Sequence, residues 1–473
     1  MRSLIFRVLG GSLLTMALVW ALVLAWWQSN DHQPEQGELI LYLGVLPLAL
    51  IGGYWLLRGF IEHLAQPPEV KAATPALPVD DDPLSGTRAR TAAAERQFVA
   101  HLIDAFVVSA AGRSADEVLA AIDAGKRPEP QAALTDDEGF PVFAAVVKDP
   151  EVAAVVEALA ESRLIPPPLA GRPEILRALA LLHGVLTEAG DRLATLLDAH
   201  PGKLHLDVVW LLPASWGQES VSGLRAWLHG LAWPVSSLGE PAFSLIPVAG
   251  DGEVLQQLDA LILSANQATG AGQLTLLAGA VSAVDPQSVA RWETARRLFS
   301  PHHQDRSIPG EGAFALLLAS PQAQALLAIQ ESVLVSRVAH GVRDKPVNAG
   351  GRVGGQLIGQ LVAGVLDVGG LPVAAVKAVV GDADHRAANL TEMLEGIGSA
   401  LDHLDPLKDC PACGTSTGTL TPFGGLMALA CASAKVRALD APVLCLSNQH
   451  ERERAVLLAR PCLPPGDPQP ACI

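Results

Sequence analysis

Apolar and polar positions follow two different patterns along this chain of 473 residues. In residues 95–200 apolar side chains recur every three or four positions, as in "SADEVLAAIDAG", "PEVAAVVEALAESRL" and "PEILRALALLHGVLTEAGDRLATLLDAH", which is the period of amphipathic helices. Ser114 caps the first of these helices, Glu117 follows three residues later, and Gly125 ends it. We therefore predict a mainly helical region over residues 95–200.

Beyond residue 200 the pattern changes to short, continuous apolar runs separated by amphipathic segments. Runs of this kind are typical of strands in a covered, largely parallel sheet. We interpret as strands "LHLDVVWLL" (204–212), "AFSLIPV" (242–248), "ALILSA" (260–265), "LTLLAGAVS" (274–282), Ala313 to Ala319, the end of "VAAVKAVVGDADH", "APVLCLS" and "RAVLLAR". The segments "SVSGLRAWLHGL" and "GGLMALACASAKVRAL" are predicted as helices. Residues 201–473 are therefore expected to form one α/β domain.

Two long apolar stretches precede these regions, from Val8 to Trp27 and from Leu39 to Leu57, and neither contains a charged residue. Each is long enough to cross the hydrocarbon core of a bilayer as a helix. Basic residues flank the pair on both outer ends, at Arg2, Arg7, Arg58 and Lys71. The loop between the stretches, "QSNDHQPEQGE", has three acids and no Lys or Arg, so the positive-inside rule places both ends in the cytoplasm.

We therefore predict a transmembrane hairpin over residues 1–60, in the inner membrane of a bacterium, with the soluble domain in the cytoplasm. A cleaved signal peptide is the alternative for the first stretch, but this stretch is long, ends in Trp-Trp and is followed at once by a second span. Residues 66–87 carry five prolines and three consecutive aspartates, a composition typical of an extended spacer. This composition predicts a Pro/Asp-rich linker over residues 61–94.

Composition excludes some classes of function. The net charge of −16 argues against a nucleic-acid partner, because phosphate binding needs a basic surface. All six cysteines lie between Cys410 and Cys472, unlike the spread of a disulfide framework over a secreted domain, so reduced thiols are the simpler expectation.

Several short motifs resemble metal, redox, nucleotide-binding or nucleophile sites, and each also has a simpler structural interpretation. Cys410 and Cys413 form a CxxC pair, which is found in zinc and redox sites, but no second close pair follows and the surroundings are typical of a loop. "PHHQD" (301–305) offers two imidazoles and a carboxylate, but a solvated loop is the expectation. "NAGGRVGGQLIG" (348–359) lacks the ending of a P-loop, and "PASWG" (213–217) does not match a serine nucleophile elbow.

Taken together, the segments of the second half resemble the β-ketoacyl synthases of the thiolase superfamily. Residues 276–320 contain the turn "PGEGAFALLL", which is similar to a turn and strand that end the first half of those enzymes. Residues 376–401 resemble the strand and loop that carry their first catalytic histidine. Residues 409–434 resemble the loop and helix that carry the second, and "APVLCLSNQHERERAVLLARP" resembles their closing hairpin. The resemblance implies a thiolase-like layered body of sheets and helices.

The residues that ketosynthase chemistry needs are missing from this pattern. Such an enzyme requires a cysteine nucleophile at a strand-to-helix elbow in its first half, and no cysteine precedes Cys410. His385 falls in the first of the two loops, whereas the second loop, "CGTSTGTLTPFGG", has no histidine. We therefore predict no catalytic, cofactor-binding or metal-binding residues and no cofactor.

The chain as a whole is similar to the type VI lipase adaptor family, on "GKRPEPQAALTDDEGFPVFAA" (125–145), "LHLDVVWLLPASWGQE" and "LSNQHERERAVLLARP". This resemblance implies a non-enzymatic adaptor or chaperone, anchored in the inner membrane, that helps load a phospholipase effector onto the type VI secretion spike. Its expected partners are the effector, the spike protein and a second copy of the chain. Two alternatives stay open: a divergent acyl-transfer or acyl-binding enzyme of the thiolase superfamily, and a membrane-tethered scaffold for another complex.

Overall fold

The computed structural model describes residues 92–161, 171–199, 204–229, 233, 241–267, 272–327, 329, 331–349 and 354–462, with scattered positions between 16 and 47. The predicted hairpin and linker lie almost wholly outside these residues. Within the described part of the chain, no helix has both the length and the hydropathy needed to cross a bilayer. The described residues from 92 to 462 form one compact unit.

This unit combines one large mixed sheet with helices on both faces. Its strands are β1 (Val99–Ser109), β2 (Glu129–Thr135), β3 (Pro141–Ala144), β4 (Leu204–Pro213), β5 (Ala242–Val248), β6 (Gly272–Ser282), β7 (Glu311–Ala319), β8 (Val333–Ser336), β9 (Ala339–Val342), β10 (Ala378–Gly381), β11 (Val443–Ser447) and β12 (Glu453–Pro461). Its helices are α1 (Ala115–Asp123), α2 (Val152–Glu161), α3 (Pro173–Ala199), α4 (Gln218–Trp227), α5 (Asp251–Gln267), α6 (Pro286–Thr294), α7 (Pro321–Leu327), α8 (Gln356–Gly369), α9 (Ala387–Ala400), α10 (Gly414–Thr417) and α11 (Gly424–Leu439).

The main sheet has the strand order β10-β11-β12-β8-β1-β7-β6-β4-β5, and β9 also pairs with β12. Strands β4, β5 and β6 are parallel to one another, as are β10 and β11. Strand β1 is antiparallel to both of its neighbours, β7 and β8. It therefore joins strands β4 to β7 to strands β8 to β12.

Apolar side chains cover both faces of the sheet. On one face, α1, α5 and α11 pack in a single core with residues such as Leu277, Phe314 and Leu429, all at most 1% exposed. On the other face, α3 and α4 pack against β4, β6 and β7, around Trp210 and Trp227. A third core joins α8 and α9 to β10, β11 and β12. Burial on both sides explains why these strands are continuous apolar runs.

The structure corrects two expectations. The run "ALILSA" (260–265), expected as a strand, lies inside helix α5, because a short apolar run is compatible with either element and its neighbours continue the helical pattern. Residues 95–200 contain the predicted helices, but also β1 and the hairpin of β2 and β3. Since β1 lies in the middle of the main sheet, this region and residues 201–462 share one sheet.

Candidate functional site

The turn before β7 is a structural anchor. Glu311 is fully buried, and its carboxylate accepts hydrogen bonds from the amide of Val147 at 2.8 Å, the hydroxyl of Ser282 at 2.9 Å and Nε of Arg177 at 2.9 Å. A side chain at Gly312 would press on the carbonyl oxygen of Val108, because the strands approach closely there. Glu311 thus ties together β7, the end of β6, the start of α3 and the segment after β3.

A second acid marks the junction between β5 and α5. Asp251 is the first residue of α5, three positions after β5 ends, and it is only 2% exposed. Neither of its carboxylate oxygens has a hydrogen-bond partner of normal geometry among the described residues. Buried polar groups nearly always have such partners, so Asp251 stands out. This junction is a strand-to-helix elbow in the first half of the compact unit.

Asp382 approaches the same place from the second half. It follows β10 directly, is 1% exposed, and accepts hydrogen bonds from the hydroxyl of Ser447 at 2.6 Å and the amides of Asn448 and Gln449 at 2.7 and 3.0 Å. Burial raises the pKa of Asp382, and these three donors oppose the rise. The position of Asp382 is therefore fixed by the end of β11.

The charge of Asp382 affects the ionisation of Asp251. Burial raises the pKa of Asp251 to about 7, and the negative charges of Asp382 and Glu453 add to the rise, while the hydroxyl of Thr421 acts against it. A negative charge near a buried carboxyl group disfavours the ionised form of that group. Near neutral pH the site can therefore accept or give a proton, but it offers no thiolate.

The loop before α11 completes this site. A side-chain carbon at Gly424, the first residue of α11, would lie 3.2 Å from Oε1 of Gln449 and 3.4 Å from Oδ2 of Asp382. At Gly252, in the first turn of α5, a side chain would clash with Glu453, whose Oε2 accepts the Gly252 amide at 3.0 Å. The first turns of α5 and α11 therefore both lie next to the acidic residues.

His385 does not belong to this acid pair. Its ring makes an edge contact with Phe299, at 5.0 Å between ring centres, and its hydrogen bonds are with the backbone of Gln304 and Arg306. Burial lowers the pKa of His385. Its neighbours Asp384 and Arg386 form a buried ion pair of 2.9 Å. His385 thus packs against the segment between α6 and β7.

The cysteines of the CxxC motif are buried. Burial and two nearby acids raise the pKa of Cys410 to about 12. Hydrogen bonding to Cys431, followed by burial, raises the pKa of Cys413 well above its ordinary value. Burial does the same for Cys445. In the described part of the chain, no cluster of three or more His, Cys, Asp or Glu side chains is arranged to hold a metal ion.

The other motifs lie apart from the acid pair. His302 and His303 are exposed in a turn, which agrees with the solvated loop predicted from the sequence. Ser215 of "PASWG" is exposed in a single helical turn after β4, where its carbonyl accepts a hydrogen bond from Arg172. The glycine-rich segment 348–359 lies partly outside the described residues, and its end forms the first turn of α8.

Asp251 and Asp382 were not among the residues that the sequence indicated. The available signal is weak: Asp382 directly follows the buried strand β10, and Asp251 comes three residues after the end of β5, and positions after strands often carry function in α/β sheets. Other acids in the chain have similar neighbours, so only the fold brings this pair together.

No family model and no curated protein matches the chain. Solved structures do match. The ishigamide ketosynthase/chain length factor has 16% identity and a TM-score of 0.50, over 77% of this chain and 100% of that one. A type II PKS ketosynthase in complex with its acyl-carrier protein has 12% identity and a TM-score of 0.52, over 77% and 100%. The ketosynthase from module 6 of the bacillaene synthase from Bacillus subtilis 168 has 11% identity and a TM-score of 0.52, over 77% and 72%.

At these identities the likeness shows the fold, which is the thiolase-like ketosynthase fold built on a large mixed sheet. The expected α/β class and the resemblance to β-ketoacyl synthases are confirmed at this level. These matches give no support to the resemblance to the type VI lipase adaptor family, which stays a prediction.

Proposed function

We propose that this chain, which has the thiolase-like fold of the ketosynthases, acts by binding a partner and does not condense acyl groups through a cysteine thioester. The observation that carries the proposal is the residue at the elbow, where Asp251 lies beside Asp382. Thioester chemistry needs a thiolate nucleophile. A carboxyl pair offers none, and its charge would oppose the formation of a thiolate beside it.

The described cysteines do not replace the missing nucleophile. Cys413 and Cys431 contact each other, Cys445 lies near Cys413, and all three are at most 2% exposed. A thiol buried in apolar surroundings is inert at neutral pH. This property supports a role without an acyl-enzyme intermediate.

The specific role that we propose is that of a membrane-anchored adaptor that brings a lipase effector to a secretion spike. It is supported by the resemblance of residues 125–145, 204–219 and 446–461 to the type VI lipase adaptor family, and by the missing cysteine nucleophile. In this role the apolar stretches before residue 60 hold the protein in the inner membrane, the soluble domain faces the cytoplasm, and a second copy of the chain is a further partner.

A second candidate is a divergent acyl-transfer or acyl-binding protein of the thiolase superfamily. The fold favours it, because the matched solved structures are ketosynthases. The raised pKa of Asp251, about 7, also favours it, because a group that titrates near neutral pH is suited to general acid or base catalysis.

The first test asks whether the chain forms a covalent acyl adduct. The purified full-length protein is incubated with acyl-coenzyme A and acyl carrier protein donors, and its intact mass is measured before and after hydroxylamine treatment. A ketosynthase with a cysteine nucleophile serves as the positive control. We expect no mass increase on this chain, and a stoichiometric, hydroxylamine-sensitive adduct would contradict the proposal.

The second test identifies the partner. The solubilised protein is captured at native expression, and the bound proteins are identified by mass spectrometry, with a tagged, unrelated inner-membrane protein as the control. We expect a lipase-like effector or a spike protein. An acyl carrier protein without any secretion component would favour the second candidate instead.

A further inference from the structure

Oxygens that lack a hydrogen-bond donor gather where helices α5 and α11 begin. Both carboxylate oxygens of Asp251 and Oε1 of Gln449 are buried, and no donor among the described residues reaches them in normal hydrogen-bond geometry. The two residues are 2% and 3% exposed. Buried polar atoms nearly always have a partner, so acceptors without a donor indicate a place where a water molecule or an ion binds.

The direction of the Gln449 side chain is fixed by Asp382. Its Nε2 donates to the backbone carbonyl of Asp382 at 3.1 Å, and its backbone amide donates to Oδ1 of Asp382 at 3.0 Å. Exchanging the two amide atoms would set Oε1 against that carbonyl, so Oε1 lies on the other side. A side-chain carbon at Gly424 would be 3.2 Å from this oxygen and 3.4 Å from Oδ2 of Asp382. Both oxygens thus border the first residue of α11.

Asp251 faces the same place from helix α5. One turn later in this helix, Leu255 reaches the start of α11, where a side-chain carbon at Gly425 would lie 3.2 Å from its Cδ1. Residues four positions apart share one face of a helix, so Asp251 is on the side that faces α11. Burial raises the pKa of Asp251, and the charge of Asp382 and the hydroxyl of Thr421 act on the same carboxyl group. One place, which we call the oxygen site, is therefore bordered by the side chains of Asp251, Asp382, Thr421 and Gln449.

The chemistry of the oxygen site selects a cation with one charge. Carboxylate, amide and hydroxyl oxygens are the ligands that hard cations take. Asp382 already accepts three hydrogen bonds, which leaves Asp251 as the carboxylate without compensation. A divalent cation would bring an uncompensated positive charge into a buried place, which is costly. In the described part of the chain, no cluster of three or more His, Cys, Asp or Glu side chains is arranged for such an ion.

We propose that the oxygen site binds a monovalent alkali cation, of the sodium or potassium class. The bound cation supplies the contacts that Oε1 of Gln449 and the Asp251 carboxylate otherwise lack, and it offsets the buried charge. It joins the first turn of α5 to the loop before α11 and to the end of β11. Its effect is on the stability of the folded chain, so the proposal does not depend on which partner the chain binds.

The first test is thermal unfolding of the purified full-length protein in different salts. The pH is held at 8, above the pKa of about 7 of Asp251, and KCl or NaCl replaces choline chloride at constant ionic strength. A ligand that binds only the folded state raises the melting temperature with its concentration. We expect a rise of about 2 °C or more between choline and about 200 mM sodium or potassium. Equal melting temperatures in all three salts would overturn the proposal.

A variant of the same shape tests the role of the carboxylate. Asp251→Asn removes the charge and keeps the size of the side chain, so we expect it to fold and to lose the dependence on sodium or potassium. Asp116→Asn, at an exposed position in the first turn of α1, is the matched control and should keep the dependence. A dependence that Asp251→Asn retains in full would contradict the proposal.

Two neighbouring glycines test the place of the cation. Gly424→Ala sets a methyl group against Oε1 of Gln449, 3.2 Å away, and we expect at least about tenfold weaker binding of the cation. Gly425→Ala is crowded to a similar degree, but its closest contacts are with Leu255 and Ser447 at 3.2 and 3.3 Å. It serves as the control, in which binding should be unchanged. Unchanged binding in Gly424→Ala, or equal weakening in both variants, would place the cation elsewhere and overturn the proposal.

Anomalous scattering locates the cation directly. Thallium(I) replaces potassium in oxygen sites and scatters strongly, so crystals of the protein grown in thallium acetate should show an anomalous peak within contact distance of Oε1 of Gln449. A water molecule at this place, with no thallium peak, would overturn the proposal.

Discussion

Asp251 is an ionisable side chain in a place that disfavours its charge. Its carboxyl group is buried at the start of α5, no donor among the described residues reaches it in normal hydrogen-bond geometry, and Asp382 and Glu453 add repulsion. An isolated buried charge is costly, so the group keeps its proton up to about pH 7. A single residue thereby makes the stability of the whole fold depend on pH.

We predict that Asp251→Asn stabilises the protein at alkaline pH and changes little in acid. The pKa of Asp251 rises from 3.8 to about 7 on folding, so the folded state holds a proton that the unfolded state has lost. Stability therefore falls as the pH rises from about 4 to about 7, by roughly 4 kcal/mol at most. Asparagine cannot ionise and escapes this loss. Denaturant unfolding at pH 4, 6 and 8 measures the difference.

The control for this prediction is Asp116→Asn. Asp116 also lies in the first turn of a helix, α1, but it is exposed. Removal of an exposed charge changes stability by at most about 0.5 kcal/mol, and we expect no trend with pH. A stability difference for Asp251→Asn that is constant between pH 4 and pH 8 would show that Asp251 is already ionised in the folded state at pH 4.

The cysteines give a second prediction at this scale. Cys410, Cys413, Cys431 and Cys445 are buried, whereas Cys462 is partly exposed. Alkylation needs an accessible thiolate. With iodoacetamide at pH 7.5 we expect Cys462 to react in the folded protein. The four buried cysteines should react only after unfolding, and peptide mass spectrometry measures the modification at each site. Rapid modification of Cys410 or Cys413 in the folded protein would show that the CxxC loop opens.

The sequence supports some of these single-residue conclusions and not others. The Gly-Glu-Gly turn is visible in the sequence, but only the structure shows that Glu311 is an anchor for Arg177, Ser282 and Val147. The missing cysteine is equally visible. The pairing of Asp251 with Asp382 is not visible in the sequence, because 131 positions separate the two acids and no motif contains both.

At the scale of elements, periodicity predicts most of the second half. The predicted strand over 242–248 and the helix "GGLMALACASAKVRAL" coincide with β5 and α11. Strands β4 and β6 differ from the prediction by one or two residues at their ends. The error at 260–265 arises because a six-residue, mainly apolar run fits either a buried strand or the buried side of α5.

The contact between α8 and α9 supplies a prediction for this scale. A side-chain carbon at Gly396 of α9 would lie 2.6 Å from two carbons of Ile358. A side-chain carbon at Gly398 would meet no atom within 4 Å. We expect Gly396→Ala to cost about 1–3 kcal/mol through overpacking. Gly398→Ala, on the same helix, should stabilise by up to about 1 kcal/mol. Thermal unfolding measures the stability of each variant. Equal changes in stability for the two variants would contradict the close packing at Gly396.

At the scale of the whole molecule, the class of fold could be predicted but its assembly could not. Alternating strands and helices indicate an α/β body, and the order of the segments indicates the ketosynthase resemblance. Strand β1 was missed, because "VAHLIDAFVVS" lies in a region where helical periods dominate. Its place in the sheet depends on partners far away in the sequence, which local patterns do not report.

The position of β1 predicts where the chain tolerates truncation. A protein that begins at residue 88 retains the whole compact unit, and we expect it to fold and unfold cooperatively. A protein that begins at residue 110 lacks β1 and leaves β7 and β8 without a common neighbour. We expect the shorter protein to aggregate, because it exposes unpaired strand edges. A soluble, cooperative transition from the shorter protein would show that the two halves hold together without β1.

The same strand sets a constraint on biosynthesis. His101 of β1 hydrogen-bonds to Ser332, which lies 231 positions later. A ribosome that adds about 5–20 residues per second needs roughly 10–50 s to cover that distance. Throughout this interval the apolar strand β1 has left the ribosome while its partner β8 has not been made. The large sheet therefore closes only late in translation, and until then the edges of β1 are open to pairing with other chains.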